Sequence, residues 1–359
     1  MKQELKQMLA ELTAITGLAG QEQQVVKHLL ELLSPLADQI EVDGFGNISA
    51  VKRGNRPGPR LMITAHSDEI GAMVKSVESN GFVRFHKVGG TLDPLLLGRK
   101  VLVSGHIGII GVKAGHMQTP LERTRVVASD NLYIDLGVDS AEAVAALGVK
   151  VGDPIVYVAE LATLGGNSDR VFGKAVDDRI GCAVLVKLLA SLQGVEFAGE
   201  VHAVITVQEE VGLRGATVAA YRVNPDLAIA LDTVPAGDTP DINTNKELPI
   251  HIGRGPVIQV LSGGGPRGFL LNPCVKQFMV AMAEQAQVPY QLAVFSGGNT
   301  DASAMHLVRD GILSAALTMP RRYSHSPVEM LDLNDAVHAL QLLRQICLNL
   351  PAIAELSFI

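Results

Sequence analysis

The 359-residue sequence is short of cysteine, of excess basic charge and of long apolar runs, and each shortage removes a class of protein. Its three cysteines, Cys182, Cys274 and Cys347, are widely separated and odd in number. They make no disulfide framework and no CxxC pair, which fits a reducing compartment. Lys and Arg number 30 against 37 Asp and Glu, a formal net charge of −7, with a pI near 5.8. The chain as a whole thus lacks the basic excess of a nucleic-acid or acidic-membrane binder. No run approaches the ~18 apolar residues of a membrane span, although mean hydropathy is +0.26. The opening MKQELKQMLAELTAITG spaces Leu5, Met8, Leu9, Leu12 and Ile15 for a helix among charges, without the unbroken apolar core of a signal peptide. HExxH, GxSxG and GxxxxGK(S/T) are all missing, and no Cys lies near a plausible His partner. Neither an internal repeat nor a linker rich in Ser or charge appears. These absences predict a soluble, cytosolic protein that binds neither membrane nor nucleic acid.

What is present is globular in composition: 47% apolar, 19% charged, 36 Gly and 17 Pro. At about 150 residues per domain the length suits two or three domains, or one large α/β unit with an insertion. Two helical patterns open the chain, and IEVDGFGNISAVKRG reads as two short strands around a Gly turn before the apolar run LMITA. The later half alternates: a helix from about Asp178 to Leu192, a strand HAVITV, a helix near Ala216 to Val223, and a strand LAIAL. Helices near Pro273–Ala286, Ala302–Arg309 and Asn334–Leu348 follow. That alternation predicts an α/β fold, a sheet covered by helices on both faces. Between about residues 71 and 163 the texture changes to short β-like pieces, among them GFVRFHKV, RKVLVSG, IGIIGVKAG, LYIDLG and DPIVYVAE. Only a weak helix near Ala141–Leu147 interrupts them, so this stretch reads as an inserted small β-rich domain. The division is then 1–70 plus 164–359 around an insertion at 71–163.

Polar clusters follow the apolar runs directly, where an open α/β sheet builds its sites. LMITA runs into His66-Ser67-Asp68-Glu69, HAVITVQ into Glu209-Glu210, LAIAL into Asp232, and ILSAALTMP leads through Arg321-Arg322-Tyr323-Ser324 to His325. A fifth cluster, Asp177-Asp178-Arg179, precedes a helix. Singly, each has a plain reading: Asp177 or Asp178 as an N-cap, Glu209 and Glu210 as a solvated strand end, His66 as a hydrogen-bonded structural histidine. Together they conflict, because two histidines and four or five carboxylates at one sheet edge repel unless cations sit among them. Imidazole and carboxylate without thiolate suit Zn²⁺, Co²⁺ or Mn²⁺, and five ligands suit two metal ions better than one. His66 and Asp68 stand two apart and face one side of an extended chain, so Asp68 can orient His66. Of Glu209 and Glu210, one can ligate metal while the other takes a proton from the attacking water, in either order. The turns Gly263-Gly264-Gly265 and Gly297-Gly298 read as pocket or turn formers, and the remaining histidines as structural, with His251 the first to reconsider.

Six motifs in order, AHSDEIG (65–71), GKAVDDRIGC (173–182), VQEEVGLRGA (207–216), ALDTVPAGDTP (230–240), GGNTDA (297–302) and YSHSPVE (323–329), resemble those of a known family. It comprises the co-catalytic metallo-aminopeptidases, including glutamyl aminopeptidase, deblocking aminopeptidase and the tetrahedral, self-compartmentalising aminopeptidases. The resemblance runs essentially end to end. It implies a zinc-exopeptidase-like mixed sheet sandwiched by helices, two divalent ions per subunit, Zn or Co with Mn as an option, and peptide substrates with a free N-terminus. Residue by residue, it implies that His66 and Asp232 bind one ion, Glu210 and His325 the other, and Asp177 bridges them. Asp68 then orients His66, and Glu209 is the general base that takes a proton from a metal-bridging water. A cis peptide bond after Asp177 is implied too, as is assembly through the 71–163 insertion into dodecamers built from dimers. Ser67 stands where the family varies, and Asn299 lengthens the glycine turn before Thr300-Asp301. Rival readings are a di-metal carboxypeptidase or amide deacylase, a metal-free glycan hydrolase using carboxylates such as Glu209 and Asp232, and a non-enzymatic assembly protein.

Overall fold

Helical and strand periods resolve, in a computed structural model describing residues 1–264 and 268–357, into a large layered sheet and a separate small barrel. Gly265 of the glycine run lies outside the described residues. Helices α1 (Lys2–Ala14) and α2 (Gln23–Leu33) lead into β1 (Gln39–Val42), β2 (Ile48–Arg53) and β3 (Arg56–His66). Then come β4 (Gly71–Val77), β5 (Val83–Val88), β6 (Lys100–Val103), β7 (His106–Gly111), α3 (Pro120–Arg123), β8 (Tyr133–Asp135), α4 (Ala141–Ala146) and β9 (Pro154–Tyr157). The chain returns through β10 (Ala162–Leu164) and β11 (Asn167–Gly173) to α5 (Val176–Ser191), β12 (Ala198–Thr206), α6 (Arg214–Val223) and β13 (Leu227–Pro235). It ends with β14 (Val257–Ser262), β15 (Phe269–Leu270), α7 (Pro273–Gln285), β16 (Gln291–Phe295), α8 (Ala302–Met305), β17 (Ser314–Arg322), β18 (Glu329–Asp332) and α9 (Leu333–Leu348). The helix expected over 302–309 stops at Met305, and the chain turns through a left-handed Arg309 and Gly311 into β17.

The twelve-stranded sheet has the order β1-β2-β12-β3-β13-β17-β18-β11-β10, with β14 branching from β17 and pairing β15 and β16. At its centre β12, β3, β13 and β17 run parallel. Parallel strands end on the same side, so the register that sets Thr206 beside His66 and Asp232 beside Thr318 lines up four carboxyl ends at one edge. Leu227 to Val234 of β13 are buried without a break. A strand presents alternate residues to opposite faces, so uninterrupted burial requires cover on both. On one side α5 packs with α1, α2 and α9 over β3 and β13; α6 and α8 pack on each other and against β12 and β17. The apolar stripe Leu5, Leu9 and Leu12 of α1 joins Val25, Leu29 and Leu33 of α2 and Ile180, Leu185 and Leu189 of α5 in one core. Full burial of each such side chain stabilises by roughly 1.5–3 kcal/mol.

Strands β4-β5-β8-β7-β6-β9 close into a barrel with its own core, including Val74, Phe85, Val101, Val103, Ile134 and Ile155. Gly111 lets β7 approach β8, since a Cβ there would lie 2.4 Å from the Tyr133 ring. Among the described residues no helix is long and apolar enough to cross a membrane.

Candidate metal centre

His66 ends β3, Asp177 opens α5, Glu209 and Glu210 occupy the turn after β12, Asp232 lies within β13, and His325 follows β17. These segments converge on the common carboxyl edge. His66 Nε2 lies 3.3 Å from Asp177 Oδ1 and 3.9 Å from Asp232 Oδ1. His325 Nε2 lies 3.7 Å from Asp177 Oδ2 and 3.6 Å from Glu210 Oε1. Two sets offer one ligand atom per residue with all atoms within 4.8 Å of one another: His66, Asp177 and Glu210; and His66, Asp178 and Asp232. The Asp177–Asp178 peptide bond is cis. Ala175, Gln208, Tyr323 and His325 all have positive φ although none is glycine. Left-handed backbone costs roughly 1–3 kcal/mol for such residues, and here it clusters on the segments that carry the donors.

Burial is the first cause of the unusual acidities. It pushes the Glu210 carboxyl up to about 8, with the Asp177 charge assisting. Burial and neighbouring carboxylates likewise push Glu209, Asp232 and Asp178 well above the ordinary range. Asp177 goes the other way: burial opposes its charge, but the Arg321 guanidinium and His66 hold it low. Burial also opposes a charged His66, yet its hydrogen bonds to Asp177 and Asp68 hold that imidazole well above its usual value. Asp178 Oδ2 and Asp301 Oδ1 are buried with no hydrogen-bond partner. Crowded carboxylates with unsatisfied oxygens, alongside imidazole nitrogens and no thiolate, are the donor chemistry of a divalent cation site.

A supporting layer fixes these donors, and much of it escaped the sequence reading. His66 Nδ1 is 3.1 Å from the Asp68 carbonyl oxygen and 3.5 Å from its Oδ1. The Asp68 carboxylate also accepts the backbone N–H groups of Glu209 and Glu210, each at 3.0 Å. It therefore holds the glutamate turn as well as facing the histidine. Glu329 accepts N–H groups from Asp177 and His325, both at 3.0 Å, and pairs with Arg321. Arg321 in turn reaches Asp177 Oδ2 at 2.6 Å. Thr233 Oγ1 donates to Asp177 Oδ1 at 3.0 Å, and Thr206 Oγ1 donates to Asp301 at 2.7 Å. Glu69 faces elsewhere: it pairs with buried Lys174 and accepts the Gly17 N–H, tying β3 to the chain after α1. His251 has no place among the donors; its backbone N–H bonds Gln291. A cleft of about 300 Å³ opens over the centre, walled by Glu209, Asp232, His325, Leu92, Phe295 and Asn299.

A mixed sheet with helices on both faces, carrying carboxylates and imidazoles at the carboxyl ends of its parallel strands, is the architecture of a metallo-exopeptidase. The sequence model for M42 glutamyl aminopeptidase matches residues 46–342, and the chain belongs to that peptidase M42 family. It is 36% identical to a putative aminopeptidase of Acetivibrio thermocellus over 95% of this chain and 98% of that one. The TET aminopeptidase of the marine sediment archaeon Thaumarchaeota archaeon SCGC AB-539-E09 superposes with a TM-score of 0.92 at 36% identity, over 98% of both chains. The Pyrococcus horikoshii TET1 peptidase, described as assembling into a tetrahedron or a large octahedral shell, superposes at 0.84 with 31% identity, over 96% of this chain and 100% of that one.

Proposed function

We propose that this metal-dependent aminopeptidase removes the N-terminal residue of peptides with Glu209 as its general base. The observation that carries the reading is the convergence of Asp177, Glu210, Asp232 and His325 from separate segments onto one cleft, with His66 against Asp177 and Asp232 and buried Glu209 beside them. His66 and Asp232 would hold one divalent ion and Glu210 and His325 a second, with Asp177 serving both; Zn²⁺, Co²⁺ and Mn²⁺ all suit these N and O donors. Such ions, when bound, supply Lewis acidity and lower the pKa of coordinated water. Glu209 takes the proton of the attacking water and returns it to the leaving amine. The raised affinity of Glu209 for a proton suits both steps. Asp68 keeps His66 and the glutamate turn in mutual register, and the carboxylate-rich floor receives a free α-ammonium, which confines cleavage to the first residue.

Residues 1–70 with 164–359 form the catalytic unit in this reading, and 71–163 the oligomerisation domain. The tetrahedral assembly described for the Pyrococcus horikoshii relative supports self-association here, as a dodecamer built from dimers. A cytoplasmic location accords with the three unpaired cysteines.

The test incubates the protein with Zn²⁺ or Co²⁺ and one peptide in free and N-acetylated forms, with and without chelator, reading released residues by mass spectrometry. Stepwise, chelator-sensitive loss from the free N-terminus is expected, and Glu209→Gln should retain metal while losing most turnover. Cleavage of the acetylated peptide or release from the C-terminus moves the assignment to a deacylase or carboxypeptidase. Near-wild-type activity of Glu209→Gln removes Glu209 as the base.

A further inference from the structure

The cleft over the donors has a second wall that the chemistry above does not use. Every charged group lining the cleft, among the described residues, belongs to the centre itself or to Arg321 beside it. Arg321 is already engaged by Asp177 and Glu329. Among the described residues, Lys87 and Arg322 on adjoining segments are committed too, Lys87 to Asp93 and the Thr91 carbonyl, Arg322 to both carboxylate oxygens of Asp238. The second wall includes Leu92, Val234, Pro235 and Phe295, and its polar members, Gln259 and Asn299 with the hydroxyls of Ser262 and Thr300 among them, are all uncharged. Phe295 is pinned, since a Cβ on Gly297 would lie 2.7 Å from its ring. Gln259 is buried; its Nε2 donates to Thr318 Oγ1 at 3.1 Å, while its Oε1 has no donor.

Resting on the aminopeptidase reading, we propose that this wall selects an uncharged aliphatic N-terminal residue, leucine or methionine, over acidic and basic ones. A substrate carboxylate entering here meets no unengaged cation among the described residues. A substrate ammonium finds no carboxylate outside the centre. Either charge is desolvated without a partner, whereas an aliphatic chain covers apolar surface on Leu92, Pro235 and Phe295.

The experiment measures kcat/KM of the metal-loaded protein on peptides X-Ala-Ala-Phe with X as leucine, methionine, glutamate or lysine. Leucine and methionine should exceed glutamate and lysine by about 10- to 100-fold. Asn299→Arg places a cation on the wall and should raise the glutamate-to-leucine ratio about tenfold. Leu92→Lys, at a site 64% exposed and so tolerant of change, provides a second cation should the first variant fold poorly. Equal or better cleavage of the glutamate or lysine peptide by the unaltered protein overturns the selectivity and leaves the aminopeptidase reading intact. An unmoved ratio in both variants removes the wall as its source. No N-terminal release from any peptide brings down both readings together.

Discussion

Glu329 shows how much of the centre depends on a residue that ligates nothing. One oxygen accepts the Asp177 N–H and the other the His325 N–H, so a single carboxylate fixes donors from the start of α5 and from the loop after β17. Burial raises its carboxyl to about 7, and Arg321 opposes that rise by pairing with it. Glu329→Gln keeps the shape but loses the charge that holds Arg321, which frees the guanidinium to compete for Asp177. Metal affinity should fall about 10- to 100-fold with the fold intact, and a competitive chelator titration with circular dichroism reads both. Affinity within twofold of the unaltered protein would show that Glu329 does not position the donors. The strand-end rule exposed His66, Glu209, Glu210 and Asp232, because each follows an apolar run directly. Glu329 and Arg321 stood inside noted segments, yet no spacing distinguishes a carboxylate that accepts two distant amides from one in solvent. For Asp178 the plain reading describes part of what is there: its Oδ1 accepts the Gly181 N–H at 3.0 Å, as a cap does. Its other oxygen is buried without a partner, and the place of Asp178 beside His66 and Asp232 has no local signature.

Elements were legible where burial was two-sided or strictly alternating. LMITA, HAVITV and LAIAL are apolar because helices cover both faces of β3, β12 and β13. β14, β16 and β18 went unread, since β14 pairs with β17 some 60 residues on and β16 is a five-residue piece with a half-exposed pattern. The chain between β13 and β14 is likewise held from afar. Arg322 clamps Asp238, and Asp335 in the first turn of α9 accepts the Gly253 and Gly255 N–H groups at 2.6 and 2.7 Å. Burial pushes Asp335 up to about 7 despite those two bonds. Its folded pKa thus lies above its unfolded one, so its stabilising proton is fully in place below about pH 4 and is lost as pH rises through about 7. Asp335→Asn removes this titration and keeps an acceptor. The melting-temperature advantage of the unaltered protein over Asp335→Asn should be largest near pH 4 and shrink toward pH 8. A pH-independent difference between the two would mean that Asp335 is ionised in the fold throughout.

At the scale of the whole molecule, the barrel carries apolar surface that its own closure does not explain. Its interior is filled by its own core, and closing the strands leaves no edge to cover. Yet Ile107 and Ile109, on the outward face of β7, are 55% and 51% exposed, and Met117, Leu121 and Val126 in the following segment are 71%, 58% and 66% exposed. Apolar residues scattered singly need no explanation, but a strand face continuing into a segment with three further exposed apolar side chains is the kind of patch that subunit contact buries. The large sheet presents no comparable run on β13 or β17, whose residues are almost all buried within the subunit. We predict that the contact surface falls on the barrel, which contributes only Gly90 and Leu92 to the metal-centre cleft. Ile107→Lys with Ile109→Glu alters two outward positions whose individual effects on subunit stability should stay within about 0.5 kcal/mol. Sedimentation velocity should show the assembly reduced to smaller species while each subunit still binds metal. A particle of unchanged mass would place the contact elsewhere, on the exposed face around Tyr221 and Leu307 between α6 and α8.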